Sequence, residues 1–372
     1  MRIPASTATL TLAVLPALPT LLAVASALLL FSLFLLLQGA PVLEAMQLIF
    51  QGAFGTPFAW QSTLTRAAPL MLTALCVALP AQVGLIVIGG EGALALGGLA
   101  AALVPQCVPA ATPWWIVMPA MAAAGMLAGG CWIGAAGALR QRRGVNETIS
   151  SLLLAYIAIA VFKHLVEGPL RDPASLNKPS TVPVPDAWMV GTLPGIDVHW
   201  GLLAGVLACA AAWLMVRRST FGFAMRVTGG NARAARLVGL PVGRLTLAAC
   251  VLGGAAAGLA GMFEVAAVQG SANVALLAGY GYSGILVAFA ARQNPLAIVA
   301  CALMIGGIEN SGSLLQRRLH LPDATTFVLQ GLLFANLLAW EAMGGALSSW
   351  RVKLQDIALA GKAQAELETR HA

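Results

Sequence analysis

Three carboxylates of this chain lie in or beside apolar runs, where a charge is expensive. Glu91 sits inside Gly89-Gly90-Glu91-Gly92, Glu264 near the end of another run, and Glu309 next to Asn310 in a third. A charge held at the centre of a bilayer costs about 2.5–3.5 kcal/mol on insertion scales, so such groups face a bundle interior or a watery cavity. For Glu91 the flanking glycines suit lining a polar path or capping a helix, with a satisfied structural acid as the alternative. Glu309 and Asn310 offer an acceptor and an amide to a passing polar solute. Glu264 reads as an interfacial residue. The chain has 3 tyrosines, Tyr156, Tyr280 and Tyr282. Each could stack or hydrogen-bond, or equally anchor at the interface.

A second constellation is cationic. Residues 217–244 carry Arg217, Arg218, Arg226, Arg233, Arg236 and Arg244 and no acid. Within them Asn231 is a good N-cap, 232–238 are mostly helix formers, Gly239 suits a left-handed C′ position, and Pro241 prevents continuation. The expectation is a helix of about two turns, too short to stand alone in water. It either docks into a soluble partner or is a solvated basic loop that fixes topology.

Other chemistry is missing its parts. Residues 279–284 match G-x-G-x-x-G, but the dinucleotide fingerprint needs a βαβ context and an acid about 20 residues on; here the surroundings are apolar helix, and Glu309 is the next acid. Glycine-broken membrane helix is the better reading. The sequence has no G-x-x-x-x-G-K-[ST], no H-E-x-x-H and no G-x-S-x-G. The 6 cysteines stand singly, so free thiols, no metal site and no cofactor are expected. A membrane enzyme would need paired carboxylates, a metal or a nucleophile, and none is assembled. The net charge of +7 comes from arginines in short loops and reads as membrane topology rather than nucleic-acid binding.

The elements that must position these residues are transmembrane helices. Of 372 residues, 59% are hydrophobic and 9% charged, far from the soluble average of about 25% charged. Apolar runs of spanning length recur throughout, giving an all-α polytopic bundle of about ten spans: residues 17–38, 64–80, 84–104 (broken at GGEG), 114–139, 146–166, 200–216, 245–263, 271–291 (irregular, from its glycines), 296–315 and 325–343. The first run is too long for the h-region of a cleavable signal, although Ala25-Ser26-Ala27 mimics a cleavage site. Residues 44–66 read as an outer polar segment with an interfacial piece, and 167–198, rich in proline, as the long outer loop. Both ends are expected inside, with residues 1–350 as one membrane domain and 351–372 as a cytoplasmic tail. The loop with Arg317, Arg318 and His320 then falls outside, against the charge bias. Small-residue faces at Gly125, Gly129, Gly130 and Gly134, and at Gly254 and Gly258, suit close helix packing.

Several segments resemble one family. GLIVIGGEGALALGG (84–98), GVNETISSLLLAYIA (144–158), GGNARAARLVGL (229–240), GAAAGLAGMFEV (254–265) and GYGYSGILVAFAARQNPLAIV (279–299) occur in the order of the permease subunit of ATP-binding-cassette importers of the ribose and simple-sugar type. Segment 144–158 resembles the nucleoside-uptake branch in particular. The resemblance covers about 64–338. It implies a non-enzymatic permease in a bacterial cytoplasmic (inner) membrane, moving a nucleoside or similar small polar solute, with a simple sugar as alternative. It implies as partners a cassette ATPase subunit, a second permease and an external substrate-binding protein, besides membrane lipid. It also implies that 217–244 holds the coupling helix, the matching positions being Gly229, Gly230, Asn231, Ala234, Ala235 and Gly239. Candidates for the translocation pathway are Glu91, Tyr280, Tyr282, Glu309 and Asn310. Val87, Ala93, Ala155 and Ser283 replace polar residues frequent in the family. An ion-coupled secondary transporter, cycling Glu91 or Glu309, is the reading from another class.

Overall fold

The computed structural model describes residues 18–175, 178–340 and 342–343; the N-terminal lead and the tail from 351 lie outside the described residues. The described chain is helical, with isolated bridges in place of sheet. It forms two units, a larger one of residues 43–326 and a smaller one from the chain up to 42 and from 327 onward. In the smaller unit, α1 (Leu18–Leu37) meets the final helix through Ser26, whose Oγ donates to Asn336 Oδ1 at 2.7 Å and accepts from Trp340 Nε1 at 3.1 Å. A hydroxyl and an amide in an apolar setting find each other because nothing else there can satisfy them.

The larger unit holds α2 (Val42–Phe54, apart from its first residue), α3 (Pro57–Ala81), α4 (Gly90–Cys107), α5 (Trp114–Arg143) and α6 (Glu147–Glu167). After the outer loop come α7 (Gly201–Arg218), α8 (Thr220–Gly230), α9 (Ala232–Leu237) and α10 (Val242–Phe263), the last continued by a π-helical turn, Glu264–Gln269. Helices α11 (Tyr280–Ala290) and α12 (Pro295–Leu319) complete it, and α13 (Thr325–Trp340) leads into the smaller unit. Among the described residues, seven helices are long and apolar enough to cross a membrane: α1, α3, α5, α6, α7, α10 with its π-turn, and α12. The other three expected spans correspond to α4, of 18 residues, α11, of 11, and the short α13.

Two expectations are corrected. Residues 44–66 are helical rather than an irregular polar segment with one interfacial piece. They form α2 and the first turns of α3, which starts early because Thr56 caps it, accepting from Ala59 N, with Pro57 at N1. Helix α2 buries Ala45, Leu48, Gly52 and Ala53, small enough for neighbours to approach, while Glu44 and Gln51 stay outward. Nor does GGEG break a span midway: α4 begins there. Residues 85–89 before it are non-helical, which membrane depth permits only where backbone groups find partners. The first turn of α6 supplies them: Ser151 Oγ accepts from Ile88 N at 3.0 Å, and Thr148 Oγ1 donates to Ile86 O at 2.9 Å.

The closest helix pairing is α5 on α10. A Cβ on Gly258 would overlap the carbonyl oxygen of Gly125, and one on Gly254 that of Gly129. The two glycine faces thus oppose each other, and contact of this kind is what drives association where lipid removes the hydrophobic incentive.

The bundle has two distinct ends. Val83–Leu85, Arg140, Gly144, Gly229, Arg236 and Val242 border one cavity, and Gln82 Nε2 donates to Gln293 O, bringing Arg292 to the same end. At the other end Trp114, Ala187–Gly191, Trp200 and Phe263 meet, and Trp188 Nε1 donates to Thr112 O. Helix α5, about 45 Å long, joins the two ends. The charge rule predicts that the arginine-rich end is cytoplasmic and the long loop outside. Arg317 and Arg318 stand at the end of α12 far from Arg292, so the same rule counts against them. Ala174 and Thr220 are both exposed and report the two ends. In a cysteine-free background, Ala174→Cys should react with an impermeant thiol reagent in intact cells and Thr220→Cys only after permeabilisation; the reverse pattern would invert the orientation.

Candidate functional site

The centre of the larger unit is a junction between two helices that do not span. Helix α4 starts at Gly90 after the non-helical segment and runs outward. Helix α11 starts at Tyr280 and runs toward the cytoplasmic end, where Gln293 meets Gln82. Their N-termini face each other, and Glu91 joins them. Gly279 N donates to Glu91 Oε1 at 2.9 Å and Gly281 N to Oε2 at 2.6 Å. Two helix N-termini bring partial positive charge to one point, and the carboxylate answers both. Glycine is needed on the α11 side: Gly279 has φ +89, and a Cβ on Gly281 would overlap Glu91 N. Thr73 Oγ1 of α3 donates to Tyr280 O at 2.9 Å, fixing the same turn from a third helix.

Around this junction the remaining polar residues sort by partner. Ser283 Oγ donates to Glu309 Oε1 at 2.7 Å, joining α11 to α12. Asn310 Nδ2 donates to Gly52 O at 2.8 Å and is half-buried, so it tethers α12 to the end of α2. Tyr280 is buried and Tyr282 is 40% exposed on the neighbouring position of α11. Glu264, read from the sequence as interfacial, is instead 3% exposed. Its carboxylate has no hydrogen-bond partner among the described residues, and it shares one electrostatic neighbourhood with Arg66 of α3, Glu309 and Tyr280. Arg66 was missed from the sequence because it lay in the segment read as outer. The π-turn that begins at Glu264 was equally illegible, since no residue pattern marks it. Its backbone is secured from outside, Val190 N donating to Ala266 O at 2.8 Å. Such π-turns recur at functional sites.

The apolar replacements noted in the sequence lie elsewhere. Val87, Ala93 and Ala155 have no exposed surface. Val87 and Ala93 belong to a dry cluster with Ile133, Ala249 and Cys250, and a Cβ on Gly92 would reach within 2.8 Å of Ala155 Cα. Ser283 alone of the four keeps a polar contact.

At the cytoplasmic end, residues 217–244 fold as α8 and α9. Asn231 Oδ1 accepts from Arg233 N at 3.0 Å and Ala234 N at 3.1 Å. Gly239, at φ +81, closes α9, with Leu240 N donating to Ala235 O at 3.0 Å. Ala235 is fully buried against the protein's own body, whereas Arg233, Ala234 and Arg236 are exposed, as are Leu237 at 89% and Val238 at 73%. Gly229 is needed for close approach, since a Cβ there would overlap Gln82 O, while Gly230 meets open space.

Replacing Glu91 by Gln removes the charge and points an amide donor at one of two backbone donors. Hydrogen bonds to charged groups are worth about 1.5–3 kcal/mol, so the start of α11 should open roughly 10- to 150-fold more often. Hydrogen exchange over 274–284 measures this; unchanged protection in Glu91→Gln would refute the bridging role.

Residues 59–338 match the family described as branched-chain amino acid transport system / permease component. The chain is 32% identical over 309 residues to the glucose ABC transporter permease protein TsgB13 of Haloferax volcanii, covering 80% of each chain. It is 29% identical to the guanosine ABC transporter permease protein NupP of Bacillus subtilis, over 75% of this chain and 80% of that one. It is 27% identical to the probable riboflavin import permease protein RfuC of Treponema pallidum, over 73% and 74% respectively. With a family match over most of its length and relatives of the same kind on both sides of the junction, the chain belongs to this family of multi-pass, non-enzymatic permease subunits of ATP-binding-cassette transporters.

Proposed function

We propose that this permease imports a small neutral solute rich in hydroxyl groups, a nucleoside first, along a path that passes the α4–α11 junction. The observation that carries the reading is a set of polar side chains inside an otherwise apolar body: Glu264 and Tyr280 are buried, and Glu309 is held by Ser283. Glucose, guanosine and riboflavin, the solutes in the relatives' names, differ in charge-free bulk but share runs of hydroxyls. Carboxylates accept from hydroxyl groups and Arg66 donates to them, so one set of side chains serves the shared part of all three. Tyr280, buried in the first turn of α11, offers aromatic surface to a base, while Tyr282, two positions on, is 40% exposed on another face of the helix. Glu91 and Asn310 contribute differently: both are engaged by backbone groups and shape the path rather than touch its cargo. That engagement also disfavours an ion-coupled carrier built on Glu91. A simple sugar is the second reading, supported by the glucose permease. Cells lacking this chain should lose uptake of labelled guanosine at low external concentration. Loss of glucose uptake with guanosine entry intact would give the sugar reading precedence.

Energy would come from a separate cassette ATPase, with a second permease completing the path and an external binding protein delivering the solute. Residues 1–350 act as the membrane domain and 351–372 as a cytoplasmic tail. Helix α9 is the coupling element: Asn231 and Gly239 hold its ends, Gly229 and Gly230 its approach, Ala235 seats it, and Ala234, Leu237 and Val238 face the ATPase. A leucine 89% exposed on a cytoplasmic surface is otherwise unexplained. Leu237→Ala should weaken ATPase retention in the purified complex about tenfold, from about 1.5 kcal/mol of lost burial. Normal retention with normal solute-stimulated hydrolysis would remove α9 from the interface.

A further inference from the structure

A cavity of about 450 Å³ lies at the cytoplasmic end, bounded by the loop before α4, the end of α5, the α8–α9 junction and the start of α10. Four features of its wall have the same chemical sense. Arg140, in the last turn of α5, uses Nε to meet Glu147 Oε2 at 3.3 Å, and its Nη groups have no hydrogen-bond partner among the described residues. Arg236 projects from α9 with its guanidinium equally unpaired among the described residues. The start of α10, a helix of 22 residues, has no side-chain cap. Thr228, 3% exposed, lines the cavity and its buried hydroxyl has no hydrogen-bond partner.

A buried hydroxyl without a partner costs about 1–3 kcal/mol unless something from outside supplies one. At the start of α10 Val242 N already donates to Leu240 O at 2.9 Å, so this helix end offers the cavity its partial positive charge rather than a free donor. Among the described residues Glu147 is the acid that meets this wall, its Oε2 lying 3.3 Å from Arg140 Nε, and Arg236 and the helix terminus add positive charge beyond that pair. We propose that this cavity binds a phosphate-class anion, held by Arg140 and Arg236 and by the Thr228 hydroxyl, with the partial positive charge of the α10 start beside it. The site lies where a span ends in arginines, the depth of lipid headgroups, and basic pockets between helices on the cytoplasmic side suit anionic headgroups. Free cytosolic phosphate presents the same oxygens. The bound anion clasps α9 to α5 and α10, so occupancy sets how firmly the short helix is seated. The inference does not depend on which solute is carried or on what α9 contacts.

The test uses the full-length chain in detergent, with two arms. Native mass spectrometry counts retained phosphatidylglycerol against phosphatidylcholine, and thermal unfolding is followed with and without inorganic phosphate. Arg140→Gln/Arg236→Gln should weaken binding roughly 30-fold, about 2 kcal/mol at 1.4 per tenfold. Thr228→Val, of the same shape, should weaken it roughly fivefold. Arg142→Gln, outside the wall, serves as the charge control and should bind as the parent does. Phosphatidylglycerol retention that falls in the double variant assigns a lipid; a phosphate-dependent rise in unfolding temperature that vanishes there assigns the free anion. If the parent responds in neither arm, or the double variant binds as well as the parent or no worse than Arg142→Gln, the site does not exist.

Discussion

The structure of the larger unit depends on one carboxylate. Glu91 accepts from Gly279 and Gly281, and those two bonds hold together the starts of two helices of 18 and 11 residues. Each helix start carries unsatisfied donors and partial positive charge, and facing ends would repel without an anion between them. The neighbours make sense from there. Gly281 lets α11 approach Glu91, Gly279 supplies the left-handed turn before it, Thr73 steadies the junction from α3, and Ser283 ties α11 to α12 through Glu309. Irregular backbone at such a junction is tolerated where its exposed groups are given partners.

A second constraint is that nearly every non-helical backbone stretch inside the bundle has been given a named partner. Ser151 and Thr148 serve residues 86–88, and the outer loop serves the π-turn through Val190 and residues beyond it through Val184 and Thr181. The outer loop is thereby bonded to the chain that leads into α11. Close glycine packing of α5 on α10 supplies the rigid wall against which these irregular parts rest. Packing and polar satisfaction divide the work: spans meet through small residues, and breaks in spans are closed by hydroxyls, an amide and a carboxylate.

Much of this was legible in the sequence where local chemistry decides it. Seven span-length helices follow from apolar runs, and the ends of α9 follow from Asn231, Gly239 and Pro241. The irregular eighth run was readable from its glycines. What failed was long-range. Helix α2 hid behind Glu44, Gln47 and Gln51, because its buried face has Leu48 as its one large apolar residue beside Ala45, Gly52 and Ala53. The start of α4 could not be separated from the run before it, since what ends that run is a pair of hydroxyls about 60 residues away. Ala235 matched a motif, but only the fold shows that it points into the protein's own body. Glu264 lay near a run's end in sequence and is buried because the helix continues as a π-turn.

The bonds to Glu91 cross 188 and 190 residues of chain. During synthesis the carboxylate is made long before its donors. At about 5–20 residues per second, roughly 10–40 s separate the emergence of Glu91 from that of Gly281. Throughout that interval α4 is an 18-residue helix with an acid in its first turn and no partner for it. It cannot settle at its final depth, because an unpaired carboxylate there is expensive. The start of α4 therefore gains its partners only when α11 arrives, late in the chain.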